Sequence, residues 1–247
     1  MPTPAPAVVA PPVELPEADR KPESPLVPSP KEMELALDKA GVAKGLSGLV
    51  HERKLDMNVV DKDTVAVRTG VAIADTLLTV LDAPREKLLE RMGLIRAGMK
   101  AIGAGGNIDM TLEDLIARIT NDSVSRDDLL RDLDEMHQSI LPEIEFQGGE
   151  RMVPLIQAGA WLEGSHLVST AILAANKPEA GTNLLRQGVA VDYFLKYVEQ
   201  AGPTRPAVGI QLEKTLRALK EISTKPTLSI EDVQRVKDET DAVLSML

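Results

Sequence analysis

From Asp63 the order DTVAVRTGVAIADTLLTVLDA places Val65, Thr69, Ala72, Ile73, Thr76, Leu77, Val80 and Leu81 on one stripe at the 3.6-residue period of an α-helix. Its Val and Thr content would suit a strand on propensity alone, so the period decides the assignment. Helix punctuation recurs on both sides. Ser29, Pro30 and Glu32 in SPKE form a capping box, Gly41 stops that helix, and a short helix over 42–52 follows. Asp82 and Pro84 begin a helix that runs to the glycines at 103–106. Thr111 with Asp114, and Ser125 with Asp128, begin two more of about four turns or fewer. An apolar segment then covers about 150–176, another 179–201 up to Gly202, and another 207–223. The last helix begins at Ser229 with Asp232 behind it. No strand pair, no βαβ alternation and no repeat of 30–45 residues accompanies them. The pattern predicts an all-α protein, an irregular multi-helix bundle of roughly nine helices.

Residues 1–30 contain ten of the 17 prolines, which remove backbone donors and favour extended chain. Residues 1–29 are therefore expected to be a disordered Pro-rich tail or tether, and 30–247 a single α-helical domain. The tail lacks the basic start, apolar centre and cleavage site of a signal peptide. Two expectations follow. Either Met1 stands where a signal or lipid-bearing cysteine was removed and the tail is a tether, or this is the ordinary terminus of a cytoplasmic protein.

Composition narrows the partners. The chain is 43% hydrophobic but only 2% aromatic, so its core must be aliphatic, which suits packed helices. A net charge of −10 disfavours nucleic acid, because a polyanion is repelled by phosphate backbones. No basic amphipathic stretch fits an anionic membrane surface, and no apolar run reaches the roughly 18 to 20 residues of a transmembrane helix. Without cysteine there are no disulfides, thiolate metal ligands or cysteine nucleophiles.

The candidate chemistry concentrates in AGAWLEGSHLVSTAILAAN, residues 158–176, which holds the single tryptophan, Trp161, with Glu163 and His166. At 100° per residue Glu163, His166 and Thr170 fall within about 60° of one another on an otherwise apolar helix. Ala160 and Gly164 offer small surfaces for close approach. A carboxylate in such a place is costly without a partner; candidates are His166, a tyrosine hydroxyl or an arginine from another helix. All five aromatics lie between Phe146 and Tyr197. Tyr193 and Tyr197 share a helical face four residues apart, and the connection NKPEAGTN would turn their helix back beside that of Trp161. A polar cluster that fixes helix register, and a ligand pocket formed by Trp161, Glu163, His166, Tyr193 and Tyr197, are both compatible with this grouping.

Metal chemistry is an alternative. Asp134 with His137, and Glu163 with His166, are carboxylate–imidazole pairs at i, i+3, as in ferritin-like dimetal sites. They are separated by the turn-like PEIEFQGGE rather than by a carboxylate-bearing helix, and one pair begins with the shorter Asp. GAGGNID at 103–109 follows a helix rather than a strand and reads as an interhelical loop, not a dinucleotide fingerprint. DKD at 61–63 lacks the later ligands of a calcium loop and reads as a helix cap. Ser165 beside His166 is not a catalytic dyad, since neighbours on a helix diverge by about 100°.

Two stretches, PSPKEMELALDKAG after the Pro-rich leader and LIQAGAWLEGSHL, resemble uncharacterised all-α lipoproteins of the bacterial envelope. The matching helix runs small-small-Trp-apolar-Glu-small through Gly159, Ala160, Trp161, Leu162, Glu163 and Gly164. The resemblance implies a periplasmic or envelope-associated protein with a lipid anchor upstream, and no activity. It covers a small part of the chain, and the Met1 start departs from the lipobox pattern. The combined expectation is a non-enzymatic binding or structural protein without a cofactor, tethered through its tail, with a protein partner or its own assembly as the binding target. The alternatives are a metal-dependent dimetal enzyme and a carrier of a small apolar ligand at the aromatic cluster.

Overall fold

A computed structural model of the chain describes residues 27–28, 30–42, 46–202 and 205–247, without the side chains of a few residues near Pro30 and in the middle and end of the helix that begins at Arg126. The tail expected over 1–29, and Ser29 of the predicted capping box, lie outside the described residues except for Val27 and Pro28. Val27 already packs against the core.

The protein is all-α, as the periodicity requires. Ten α-helices lie among the described residues: α1 Pro30–Lys39, α2 Lys62–Thr79, α3 Arg85–Ile102, α4 Asn107–Thr120, α5 Arg126–Gly148, α6 Met152–Ala175, α7 Pro178–Leu184, α8 Gly188–Glu199, α9 Ala207–Ser223 and α10 Ile230–Leu244. Helices α2 and α6 form the centre. α3 packs on α2 and α4 on α3, while α10, α8 and α1 pack on α6, and α9 bridges α8 and α10.

The central pair is buried all round rather than along one stripe. Every residue from Thr64 to Thr79 is buried, and so is nearly all of α6. The hydroxyls of Thr69, Thr76 and Thr79 donate to the carbonyls of Val65, Ala72 and Asp75, four residues back, so β-branched polar side chains enter the core without orphan donors. The two axes cross backbone against backbone. A Cβ on Gly70 would stand 1.9 Å from the Ile156 oxygen, and one on Gly159 2.1 Å from the Val67 oxygen. The close approach expected at Ala160 is present, its backbone N lying 2.8 Å from the same Gly70 Cβ, and Gly159 and Gly70 are the glycines that allow it. Leu81, assigned to the buried stripe, is instead 43% exposed beyond the end of α2.

Most helix ends match their sequence signals. Asp61 caps α2 by accepting from Thr64 N, Ser125 caps α5, and Ser229 with Asp232 closes a full capping box on α10. Gly103, at φ 96°, ends α3. Four expectations change. The segment 42–52 contains a 3₁₀ turn, Leu46–Leu49, followed by chain without regular structure, with residues 43–45 outside the described residues. Helix α4 starts at Asn107, so Thr111 is a second-turn residue whose hydroxyl donates back to Asn107 O. Helix α5 continues through Pro142 to Gly148, where a turn had been expected. Wholly buried Ile144 anchors the stretch beyond the proline. The segment 179–201 is two helices, because the chain breaks at Leu185–Gln187.

Candidate functional site

Glu163, on the side of α6 that meets α2, has no exposed surface in its side chain, and Asp75 of α2 is 5% exposed. The two carboxyls lie within hydrogen-bond reach of each other. Over them runs a strap, residues 50–61, which links the 3₁₀ turn to α2 without regular structure. Arg53 reaches inward from the strap, and its Nη1 lies 2.7 Å from Glu163 Oε2. The partner of Glu163 is thus an arginine, as one expectation had it, but on an irregular strap rather than a helix.

The strap is fixed by side chains. Leu55 and Met57 are buried in the core, Arg68 of α2 donates to the Asp56 carbonyl, and Glu52 pairs with Lys87 at 3.0 Å and Arg91 at 3.6 Å. Among the described residues no backbone hydrogen bond joins residues 51–60 to another segment.

Burial raises the proton affinity of both acids, since a charge in this apolar setting loses its hydration. Asp75 is pushed well above the usual carboxylate range, first by burial and then by the charge of Glu163. Arg53 and Arg91 pull it in the opposite direction. For Glu163 the opposing pull comes from Arg53, with His51 adding to it. Burial and the neighbouring charge thus favour the proton on Asp75, beside a Glu163 that Arg53 draws toward its charged form. Neither Asp75 Oδ1 nor either Glu163 oxygen has a well-aligned donor from the rest of the protein, and Arg53 Nη1 is close but not aligned. A proton on Asp75 directed at Glu163 provides one such donor.

His166 does not join Glu163, despite the i, i+3 spacing. It is 2% exposed and faces α10, where Thr240 Oγ1 lies 3.3 Å from its Nδ1. Thr240 gives its own hydroxyl proton to helix carbonyls, those of Val236 and Lys237 each lying at 2.9 Å. His166 Nδ1–H is then the donor in this contact. Burial holds its pKa down at about 4, so the ring is neutral at neutral pH. The exposed His51 ring stands 6.4 Å from the His166 ring at the strap's entry.

The aromatic cluster forms as the sequence suggested, with a different centre. Trp161, 2% exposed, packs on Phe194 at 5.6 Å between ring centroids. Phe194 continues to Tyr193 at 5.6 Å, and Tyr193 to Tyr197 at 5.2 Å. Both tyrosines are half-buried, and Lys196 lies over the Tyr197 ring. Trp161 Nε1 donates to Gln187 Oε1, and Gln187 Nε2 donates to Leu184 O, so the tryptophan fastens the break between α7 and α8. Asp134 and His137 are carried by α5, and their side chains lie outside the described residues. Among the described residues no three of His, Cys, Asp and Glu gather as a group able to hold a metal ion.

Sequence reasoning missed Asp75 and Arg53. A signal for Asp75 existed: between Thr64 and Val80 the only charged residues are Arg68 and Asp75, and an acid in such a run must be buried with a partner. Nothing in HERK, residues 51–54, separates Arg53 from its neighbours.

No protein-family model matches the chain, and neither curated proteins nor solved structures give a match. Among the described residues no helix is long and apolar enough to cross a membrane.

Proposed function

We propose that this is a non-enzymatic binding or structural protein, attached through its Pro-rich residues 1–29 to an envelope-associated assembly or protein partner. The observation that carries the reading is the Arg53–Glu163 ion pair. The most conspicuous acid of the chain lies at zero exposure and closes a strap over the central helices. Its immediate work is to fix the strap. Trp161 acts in the same way when it fastens the α7–α8 break to the core. A net charge of −10 adds support for a protein partner over a nucleic acid.

The test compares the full chain with one lacking residues 1–29, each expressed in the native cell. Both are expected to unfold at the same denaturant midpoint. Only the full chain should be recovered in the envelope fraction and in chemical cross-links to its partner. Identical fractionation and identical cross-links for the two chains would overturn the attachment.

A further inference from the structure

We propose that Asp75 and Glu163 form a binding site for a guanidinium group, occupied in the closed chain by Arg53 of its own strap and open to a guanidinium-bearing ligand when the strap lifts. The inference does not depend on attachment through residues 1–29.

Two carboxyl groups side by side in an apolar surrounding match a planar cation that presents a fork of N–H donors. A compact ammonium, which prefers its own hydration, fits less well. The resident arginine does not saturate the site. Its Nη1 reaches one oxygen, Glu163 Oε2, at 2.7 Å, and the N–H is not aligned with it. Both Glu163 oxygens and Asp75 Oδ1 lack an aligned donor, although the Glu163 side chain has no exposed surface. The proton that Asp75 carries can be donated to one Glu163 oxygen only, which leaves the other with the unaligned Arg53 contact. Buried acceptors in folded proteins are nearly always matched to donors. A better-placed fork would meet them.

The way the occupant is carried also fits exchange. Arg53 sits on a segment that, among the described residues, has no backbone–backbone hydrogen bond to its neighbours and is held through its main chain only by Arg68 at the Asp56 carbonyl, and the outer strap residues His51, Glu52 and Lys54 are exposed. The strap can move away without unwinding a helix. Leu55 and Met57 hold it down, and Arg68 and Arg91 hold Asp56 and Glu52. Arg53 is therefore a tethered competitor present at an effective concentration in the millimolar range. A free guanidino compound binds the intact protein weakly, and binds tightly once Arg53 is removed.

Isothermal titration with agmatine tests this on the full chain. Arg53→Ala is expected to bind at least about tenfold more tightly than the wild type, since the tethered competitor is gone. Arg53→Ala combined with both Glu163→Gln and Asp75→Asn should bind none. The diamine of equal length, which lacks the guanidinium, should bind about tenfold more weakly than agmatine. A short peptide with one central arginine separates the two sources: binding at least equal to agmatine assigns the site to a polypeptide side chain, and weaker binding assigns it to a free guanidino compound. Absence of binding to a folded Arg53→Ala chain overturns the proposal. So does equal affinity for wild type and variant, or for agmatine and the diamine. If Arg53→Ala does not fold alone, its refolding yield with and without agmatine reads the same property, and equal yields overturn it.

Discussion

Arg53 of the strap and Glu163 of α6 are joined at 2.7 Å, with the carboxylate fully buried and the guanidinium side chain 14% exposed. Their energetic roles are unequal because Asp75 lies beside Glu163. Arg53→Met leaves an unpaired carboxylate in the core and is expected to cost about 3–5 kcal/mol. Glu163→Gln leaves Asp75 free to ionise toward Arg53 and should cost less, about 1–3 kcal/mol. Urea unfolding of both single variants and the double gives the coupling, expected at about 1–3 kcal/mol. Equal losses for the two single variants would exclude a compensating Asp75.

The raised affinity of Asp75 for its proton sets one pH dependence. In the unfolded chain this acid ionises at the ordinary carboxylate value, and in the folded chain only well above it. Its contribution to stability is complete below the unfolded value and is lost as pH rises toward the folded one. Asp75→Asn mimics the protonated acid and should remove that loss. The variant's urea midpoint should gain on the wild type as pH rises from 4 to 8. A constant difference across that range would show Asp75 ionised in the fold.

His166 gives the opposite slope. Its pKa falls from 6.5 to about 4 on folding, so its contribution is complete above 6.5 and is lost as pH falls from there to about 4. The loss is on the order of 3 kcal/mol at the acid end. His166→Gln should flatten the stability profile between these values. Proton NMR of the ring should find no titration near 6.5, and a ring that titrates there would contradict its burial against α10.

The glycines of the α2–α6 crossing divide sharply from a surface glycine. Gly159→Ala puts its methyl 2.1 Å from the Val67 oxygen, and Gly70→Ala puts one 1.9 Å from the Ile156 oxygen. Neither backbone can yield without parting the central helices, so each should cost more than about 3 kcal/mol. Gly93 in α3 has nothing within 4 Å of an added Cβ. Gly93→Ala should stabilise by about 0.5–1 kcal/mol through helix propensity. Thermal unfolding of the three variants checks the contrast.

The sequence by itself determined the class of fold and most helix ends, because period and caps are local. Asp61, Ser125 and Ser229 act on their own next turn, and Gly103 on the turn before it. It also determined that Glu163 needs a partner, since an apolar helix cannot carry a carboxylate inward alone. It did not determine the partner. Residues 53, 75 and 163 are far apart in the chain, and only the crossing of α2 and α6 beneath the strap brings them together. For the same reason the spacing of Glu163 and His166 suggested one site where the structure makes two. On a helix buried all round, residues three apart meet different neighbours: Glu163 meets α2 and Arg53, while His166 meets α10 and the His51 ring at the strap's entry. The breaks were likewise tertiary decisions. Wholly buried Ile144 anchors α5 beyond Pro142, and Trp161 bonds to Gln187 at the break that divides 179–201 into two helices. Periodicity reports which residues share a face; packing alone decides what that face meets.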